Sequence, residues 1–266
     1  MQAVSIKEGN SPVILAFPHV GLHVPAEIFG RLNEVGKRLA DTDWHVDKLY
    51  DGLLPSATSV VANFHRYVVD ANRAPDGASL YPGQNTTELC PTTDFEGAKI
   101  WRDGCEPTNV EIEERRVNFH QKYHEGVKAQ IERVYNQFGC VILYDCHSIR
   151  SQIPYLFDGN LPDFNIGTNQ GVTCASILEE HVVDVCGQAS GFTHVVNGRF
   201  KGGWTTRHYA RPEQNIHVIQ MELSQATYML EQEPWTYMED KAKKIRPVLQ
   251  TILTGLEKLA HQELIK

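Results

Sequence analysis

A chain of 266 residues with 41% hydrophobic and 22% charged side chains has the composition of an ordinary globular protein. Its net charge of -8 and its dispersed lysines and arginines argue against a nucleic-acid partner, because binding to phosphates needs clustered positive charge. No apolar run approaches the roughly 20 residues that cross a bilayer, and the N-terminus lacks the pattern of a signal peptide. We therefore expect a cytoplasmic protein without membrane contact, with one domain over residues 1–266.

The predicted elements of the first part of the chain are short strands followed by a long loop. Residues 13–17, VILAF, form an apolar run that predicts a strand buried on both faces. Residues 36–54 favour a loop that leads into a helix, and residues 59–64 and 66–70 are typical of two further strands. Residues 71–108 are rich in Asn, Pro, Gly and Thr, which predicts a long loop of the kind that usually carries function.

The second part of the chain begins with its clearest helix. Thr108 and Glu111 match a capping box, and an apolar stripe continues to Gly139, which ends the helix. Residues 140–145, CVILYD, predict another fully buried strand. The remaining predicted elements are a helix over 173–185 that ends at Gly187, a strand and a glycine turn over 192–209, a strand over 217–223, and a helix over 234–259 that is kinked or split at Pro247.

This alternation of strands and helices predicts an α/β fold, with a mixed, largely parallel sheet flanked by helices on both faces. Ligands of such sheets gather beyond the carboxyl ends of the strands. Three of the predicted strands lead at their carboxyl ends to candidate metal-binding or catalytic residues, namely His19, His147 and Glu222.

Two histidines and a carboxylate near these strand ends predict a catalytic metal site. Catalytic zinc takes imidazole nitrogen and carboxylate oxygen from three protein residues and keeps an open position. His19 and His147 supply two ligands, and we take Asp43, in the acidic segment 41–47, as the third. A solvated helix start is the structural alternative for that segment. Four other candidates for the third ligand stay open, namely Asp41, Asp47, His23 and His45.

The expected ion is a divalent transition metal, zinc in the first place, with cobalt or another divalent ion as alternatives. Glu222 is predicted to be the general base that moves a proton from the attacking water to the leaving amine. The alternative for Glu222 is a structural role, as a glutamate at the end of a strand that pairs with an arginine.

The segment DANR follows the apolar residues 67–69 and opens into the long loop. Arg73 can form a bidentate pair with a substrate carboxylate, and Asn72 can donate and accept hydrogen bonds beside it. Arg150 and Arg207 are further candidates for substrate binding, although surface ion pairs are the ordinary role of such arginines.

Six segments spread over nearly the whole chain resemble the N-formylglutamate amidohydrolase family, namely FPHVG, DTDWH, VVDANR, LYDCHS, GRFKGGWTTRHY and VIQMELSQATYM. That family is similar to zinc carboxypeptidases and aspartoacylases, whose order of metal His, carboxylate, Asn-Arg, second His and catalytic Glu is also met here. The resemblance implies a phosphorylase/hydrolase-like, zinc-carboxypeptidase-like fold. It also implies hydrolysis of N-formyl-L-glutamate to formate and L-glutamate, as in histidine degradation, with Arg66 polarising the scissile carbonyl. One departure is Leu22, which stands three residues after His19, where the carboxypeptidases carry their acidic ligand.

Three alternative functions share these residues. Adjacent Cys146 and His147 suggest a cysteine hydrolase, although neighbouring residues on a strand point to opposite faces. The arginines also suit a non-catalytic binder of acidic metabolites. A metal-dependent deacylase or carboxypeptidase acting on another N-acyl amino acid would keep the whole site. The partner expected in each case is a small acidic molecule, and the sequence leaves a homo-oligomer open.

Overall fold

The computed structural model describes residues 2–78 and 85–265. Its strands are β1 (Val4–Lys7), β2 (Val13–Phe17), β3 (Thr58–Ala62), β4 (Val141–Ile149), β5 (Phe164–Gly167), β6 (His194–Val196) and β7 (Ile216–Ser224). These seven strands form one sheet in the order β1-β3-β2-β4-β7-β5-β6.

The centre of the sheet is parallel, because β2 pairs with β3 and β4, and β4 pairs with β7, all in the same direction. β5 and β6 are also parallel to each other, whereas β1 runs antiparallel to β3 and β5 antiparallel to β7. The expected mixed, largely parallel sheet is therefore confirmed. Every residue of β2 and β4 is buried, which explains why both strands appear in the sequence as continuous apolar runs.

The helices lie on both faces of the sheet. They are α1 (Ala26–Phe29), α2 (Glu34–Lys37), α3 (Val46–Tyr50), α4 (Asn109–Arg115), α5 (Gln121–Phe138), α6 (Ser176–Gln188), α7 (Trp204–Tyr209) and α8 (Glu239–Leu259). Apolar side chains of α5 pack on one face of the sheet, and those of α3, α6 and α8 pack on the other. Within the part of the chain that the structure describes, no helix has the length and apolar character needed to cross a membrane.

The helical segment after Thr108 has the predicted ends and one unpredicted feature. Thr108 and Glu111 form the capping box, and Gly139 ends α5 in the left-handed conformation with φ of 70°. Between α4 and α5, residues Arg116–His120 form a π-helical turn. Such turns are rare and occur frequently at functional sites.

Several predicted elements differ from the structure. Residues 66–70 form buried turns instead of a strand, because a short apolar run predicts burial but does not by itself define the backbone. Residues 204–209 form α7, which was expected to be part of a turn. α6 passes through Gly187 and ends one residue later, and α8 is not split at Pro247. The strands β1 and β5 and the short helices α1 and α2 were not predicted.

Candidate metal centre and active site

Two buried histidine rings face each other at the carboxyl ends of β2 and β4. Nδ1 of His19 lies 3.2 Å from Nδ1 of His147. Oδ2 of Asp43 lies 3.2 Å from Nδ1 of His147 and 3.7 Å from Nδ1 of His19. These three side chains therefore form a group that could hold a metal ion. His147 lies inside β4 and not after it, because the strand continues to Ile149.

The other ring nitrogen of each histidine lies near a buried carboxylate, with a hydrogen bond at His19 and an ion-pair contact at His147. Nε2 of His19 lies 2.7 Å from Oδ1 of Asp70, and Nε2 of His147 lies 3.1 Å from Oδ2 of Asp145. Metal-binding histidines commonly donate this second N–H to a carboxylate, which fixes the tautomer and directs the other lone pair at the ion. Both Nδ1 atoms then point their lone pairs at the same place, where a shared cation would stabilise them. The donor set fits a divalent transition metal.

Asp43 is available to such an ion as an anion. Its Oδ1 accepts a hydrogen bond from Nη2 of Arg66 at 2.6 Å, and its Oδ2 accepts one from the backbone N–H of Ser148 at 3.1 Å. Burial alone would raise the pKa of Asp43, but the positive charge of Arg66 and the polar contacts with His147 and His19 outweigh it. The pKa of Asp43 consequently lies well below its usual range.

The four other candidates for the third ligand lie outside this group. Asp41 is buried, but it accepts a hydrogen bond from the hydroxyl of Tyr67 at 2.8 Å. Asp47 and His23 are exposed. Nε2 of His45 lies 2.6 Å from a backbone carbonyl oxygen. The geometry thus favours Asp43 among the five residues considered.

Glu222 stands next to the histidine of β4. The register of β4 and β7 pairs Glu222 with His147, and the glutamate is 7% exposed. Burial raises the pKa of Glu222 above its usual range, although the positive charge of His147 opposes this. Nε2 of Gln220 donates to Oε2 of Glu222 at 3.4 Å, and Oε1 of Gln220 accepts from the backbone N–H of Gly203 at 2.7 Å. Gln220 thereby connects the glutamate to the loop before α7.

The DANR segment lies against the same group. Nδ2 of Asn72 is 3.2 Å from Nε2 of His147, and its Oδ1 accepts a hydrogen bond from the backbone N–H of Thr205 at 2.9 Å. A Cβ atom on Gly203 would come within 2.3 Å of Asn72, so the loop can approach this closely only with glycine there. Arg73 donates from Nε and Nη2 to the carbonyl and hydroxyl oxygens of Thr87, at 3.0 and 2.9 Å.

A cavity of about 180 Å³ opens onto these residues, which is a size suited to a small molecule. Its polar wall includes His19, His147, Arg66, Asn72, Arg73, Arg199, Gln220 and Glu222. Its apolar wall includes Phe95, Ile149, Leu156 and Phe200. Charged and apolar surfaces thus meet in one space beside the histidines.

Two of the predicted substrate-binding arginines are not among the described residues that line this cavity. Arg150 pairs with Glu96 at 2.8 Å and with Asp41 at 3.3 Å. Nε of Arg207 donates to the carbonyl oxygen of Gly202 at 3.0 Å. The contacts of Arg150 are with Glu96 and Asp41, whereas the contact of Arg207 lies next to Gly203, which lines the cavity.

Arg199 and Asp145 are residues of the site that the sequence analysis did not single out. Arg199 lies in the GRFKGG segment, which the resemblance includes but which alone indicates a tight turn. Asp145 gave a stronger signal, because it stands two residues before His147 and therefore on the same face of β4.

Cys146 points to the opposite face of β4 from His147. Its Sγ donates to the carbonyl oxygen of Tyr144 at 3.5 Å, within the apolar core that contains α6 and α8. Burial raises the pKa of this thiol well above its usual range. A nucleophile pair of Cys146 and His147 is excluded by this geometry.

The comparisons with known proteins identify the family of this chain. The family model for N-formylglutamate amidohydrolase matches residues 11–229. Proteins described as N-formylglutamate deformylase from Pseudomonas putida and Pseudomonas aeruginosa are 43% and 42% identical over 256 residues, which is 96% of each chain. A crystal structure of N-formylglutamate amidohydrolase from Ralstonia eutropha JMP134 shares the fold with a TM-score of 0.82 at 23% identity, covering 98% of this chain and 99% of that one. The chain therefore belongs to the N-formylglutamate amidohydrolase family.

Proposed function

We propose that this chain hydrolyses N-formyl-L-glutamate to formate and L-glutamate with the help of a divalent metal ion. One observation carries the proposal: two imidazole Nδ1 atoms and the carboxylate of Asp43 converge beside Glu222, in a cavity that also contains Arg73. The choice of substrate is supported by the names of the relatives, which cover nearly the whole chain.

His19, Asp43 and His147 would hold the ion. When bound, such an ion acts as a Lewis acid towards the amide carbonyl and makes water a stronger acid. Two imidazoles with one carboxylate suit zinc, cobalt and similar ions better than magnesium or calcium, so zinc is the first expectation.

Glu222 acts first as the general base and then as the general acid of the reaction. Its carboxylate accepts a proton from water as the water oxygen attacks the formyl carbon, which becomes tetrahedral. The same proton then passes to the amide nitrogen while the C–N bond breaks, so formate and the amine of glutamate are released. Glu222 lines the cavity beside His147, so one carboxyl group is available for both the acceptance and the return of the proton.

The arginines and Asn72 bind and orient the substrate. Arg66 lines the cavity and pairs with Asp43, so we assign its guanidinium group to the negative charge that develops on the carbonyl oxygen. Asn72 and Arg73 bind a substrate carboxylate through directed, charge-assisted hydrogen bonds. Substrate binding by Arg150 and Arg207 stays a prediction, since neither is among the described residues that line the cavity.

Formate release from N-formyl-L-glutamate by the purified protein tests the proposal. Activity should disappear after exhaustive chelation and return with zinc or cobalt. His19→Ala and His147→Ala should abolish metal binding, and Asp43→Asn should weaken it far more than the matched control Asp47→Asn, which changes an exposed carboxylate of the same segment.

The alternatives give different results. A non-catalytic binder would bind N-formyl-L-glutamate with no formate release, and a different deacylase would prefer N-acetyl-L-glutamate or another N-acyl amino acid. Full activity in metal-free protein would contradict the metal-dependent mechanism.

A further inference from the structure

Arg199 reaches the cavity from the loop between β6 and α7. Its Nε donates to the carbonyl oxygen of Leu156 at 3.0 Å, and its Nη2 donates to the carbonyl oxygen of Asn85 at 3.1 Å. The centre of its guanidinium group lies 5.4 Å from the ring centre of Phe200. These contacts hold the long side chain in one orientation at the cavity wall.

Three arginines are among the described residues that line the cavity, and they come from different parts of the fold. Arg66 is bound to Asp43 at 2.6 Å, next to the proposed metal ligands. Arg73 is oriented by Thr87, and Arg199 is oriented by the segment after β4. Arg73 and Arg199 are thus two separately supported guanidinium groups in the lining of one cavity.

We infer that Arg199 binds the side-chain carboxylate of the substrate, while Arg73 binds the α-carboxylate. This inference rests on the proposed function, because N-formyl-L-glutamate carries two carboxylates separated by a short apolar chain. The α-carboxylate is attached to the carbon next to the scissile nitrogen, and Arg73 follows Asn72, which lies 3.2 Å from His147. The α-carboxylate therefore belongs at Arg73, and the second carboxylate is left for Arg199.

The apolar wall of the cavity supports the same orientation. Leu156 and Phe200 line the cavity, and each is also in contact with Arg199, by a hydrogen bond or by its ring. Both pack against a small apolar cluster that includes Ile153 and Leu161. The methylene groups of a glutamate side chain would meet this apolar surface, with the terminal carboxylate at the guanidinium group.

Charge pairing at Arg199 would make the enzyme specific for acidic side chains. A site built to bind a charged or polar group disfavours an analogue that lacks it, because the group on the protein is then left without its partner. Glutamine has nearly the shape of glutamate but no charge. The preference for N-formyl-L-glutamate over N-formyl-L-glutamine therefore measures the contribution of Arg199.

The experiment compares kcat/KM for formate release from these two substrates in proteins of equal metal content. The wild type should prefer N-formyl-L-glutamate, and Arg199→Gln should lower kcat/KM on that substrate by about 10- to 100-fold, mainly through KM. The loss on N-formyl-L-glutamine should be much smaller, so the preference ratio falls. Arg73→Gln should lower both values alike, because both substrates keep the α-carboxylate.

Two further variants separate binding from loop structure. Arg199→Lys keeps the positive charge, so it should keep a larger preference ratio than Arg199→Gln. Arg211→Gln is the matched control, because this exposed arginine also donates to backbone carbonyls but is not among the residues that line the cavity. It should leave the preference ratio at the wild-type value.

An unchanged preference ratio in Arg199→Gln would overturn the inference, as would an equal loss of preference in Arg199→Lys and Arg199→Gln. A wild-type enzyme that releases formate but does not prefer glutamate over glutamine would also overturn it, and would leave the proposed hydrolysis intact. Absence of formate release from every N-formyl amino acid, with metal bound, would instead contradict the proposed function.

Discussion

Oδ1 of Asp70 lies 2.7 Å from Nε2 of His19, and both residues are buried. This carboxylate fixes the tautomer that leaves Nδ1 of His19 free to bind metal. Asp70→Asn should therefore weaken metal binding by roughly 10- to 100-fold, as is typical when the partner of a metal-binding histidine is changed. Competition with a chelator of known affinity measures the effect. The exposed Asp103→Asn is the control, and equal metal affinity in the two variants would assign Asp70 to structure alone.

Glu222→Gln should retain the metal and lose turnover. Glutamine keeps the shape of the side chain but cannot accept the proton of the attacking water, so the change acts on the chemical step. We expect kcat to fall by about 10²–10⁴-fold with little effect on substrate binding. Metal analysis and steady-state kinetics on one preparation check both parts. A variant that kept most of its kcat would show that another residue is the base.

His120 and His124 should hold the DANR segment, residues 70–73, in position for substrate binding. Nε2 of His120 lies 2.9 Å from the carbonyl oxygen of Arg73, and Nε2 of His124 lies 2.8 Å from that of Ala71. Burial lowers the pKa of both histidines, so both are neutral and donate a ring N–H to these carbonyls.

His124→Phe removes one of these two donors and should raise KM by about 10-fold, with a smaller change in kcat. His124→Gln can still donate and should recover part of the loss. The control is His261→Gln, an exposed histidine in the C-terminal π-helical turn. Equal kinetics for His124→Phe and the wild type would contradict a positioning role.

Glu111 should make stability depend on pH under acidic conditions. The carboxyl group of Glu111 accepts a hydrogen bond from Arg31 and another from the backbone N–H of Thr108. These hydrogen bonds lower its pKa from 4.5 to about 2. A carboxyl group with a lower pKa in the folded state stabilises the fold above the unfolded pKa, and this contribution is lost as the pH falls towards 2.

The free energy of unfolding of Glu111→Gln should therefore be below that of the wild type at pH 6, and the two should converge as the pH falls below about 4. Urea denaturation at a series of pH values measures this difference. Glu114→Gln, at an exposed position of the same helix, serves as control. A difference between Glu111→Gln and the wild type that stayed constant down to pH 2 would contradict the ion-pair explanation.

The sequence predicted those parts of the fold in which burial alone determines the order of apolar and polar residues. The strands that lead to His19 and His147 begin as continuous apolar runs, and parallel pairing brings their carboxyl ends together with that of the strand that contains Glu222. Residues 66–70 were mistaken for a strand because their centre, residues 67–69, is apolar and fully buried. What decides their conformation is the packing around them, including the hydrogen bond from the backbone N–H of Asp70 to the carbonyl oxygen of Leu89.

The arginines show why the rest of the site could not be predicted from the sequence. Nothing in the sequence near Arg150 or Arg199 distinguishes the arginine that lines the cavity from the one that pairs with Asp41. The difference arises from loops that meet only in the folded protein. Asn85 and Leu156, which orient Arg199, stand far from it along the chain.

The close contact between Asn72 and the loop that contains Gly203 has a consequence for folding. Asn72 and its hydrogen-bond partner Thr205 are separated by 133 positions in the chain. The substrate-binding wall is therefore a contact of long sequence separation, and it forms only when the paired strands have brought its two segments together. A chain that has formed its helices and central strands still lacks this wall until both segments meet. Recovery of formate release during refolding should consequently lag behind recovery of the far-ultraviolet circular dichroism signal.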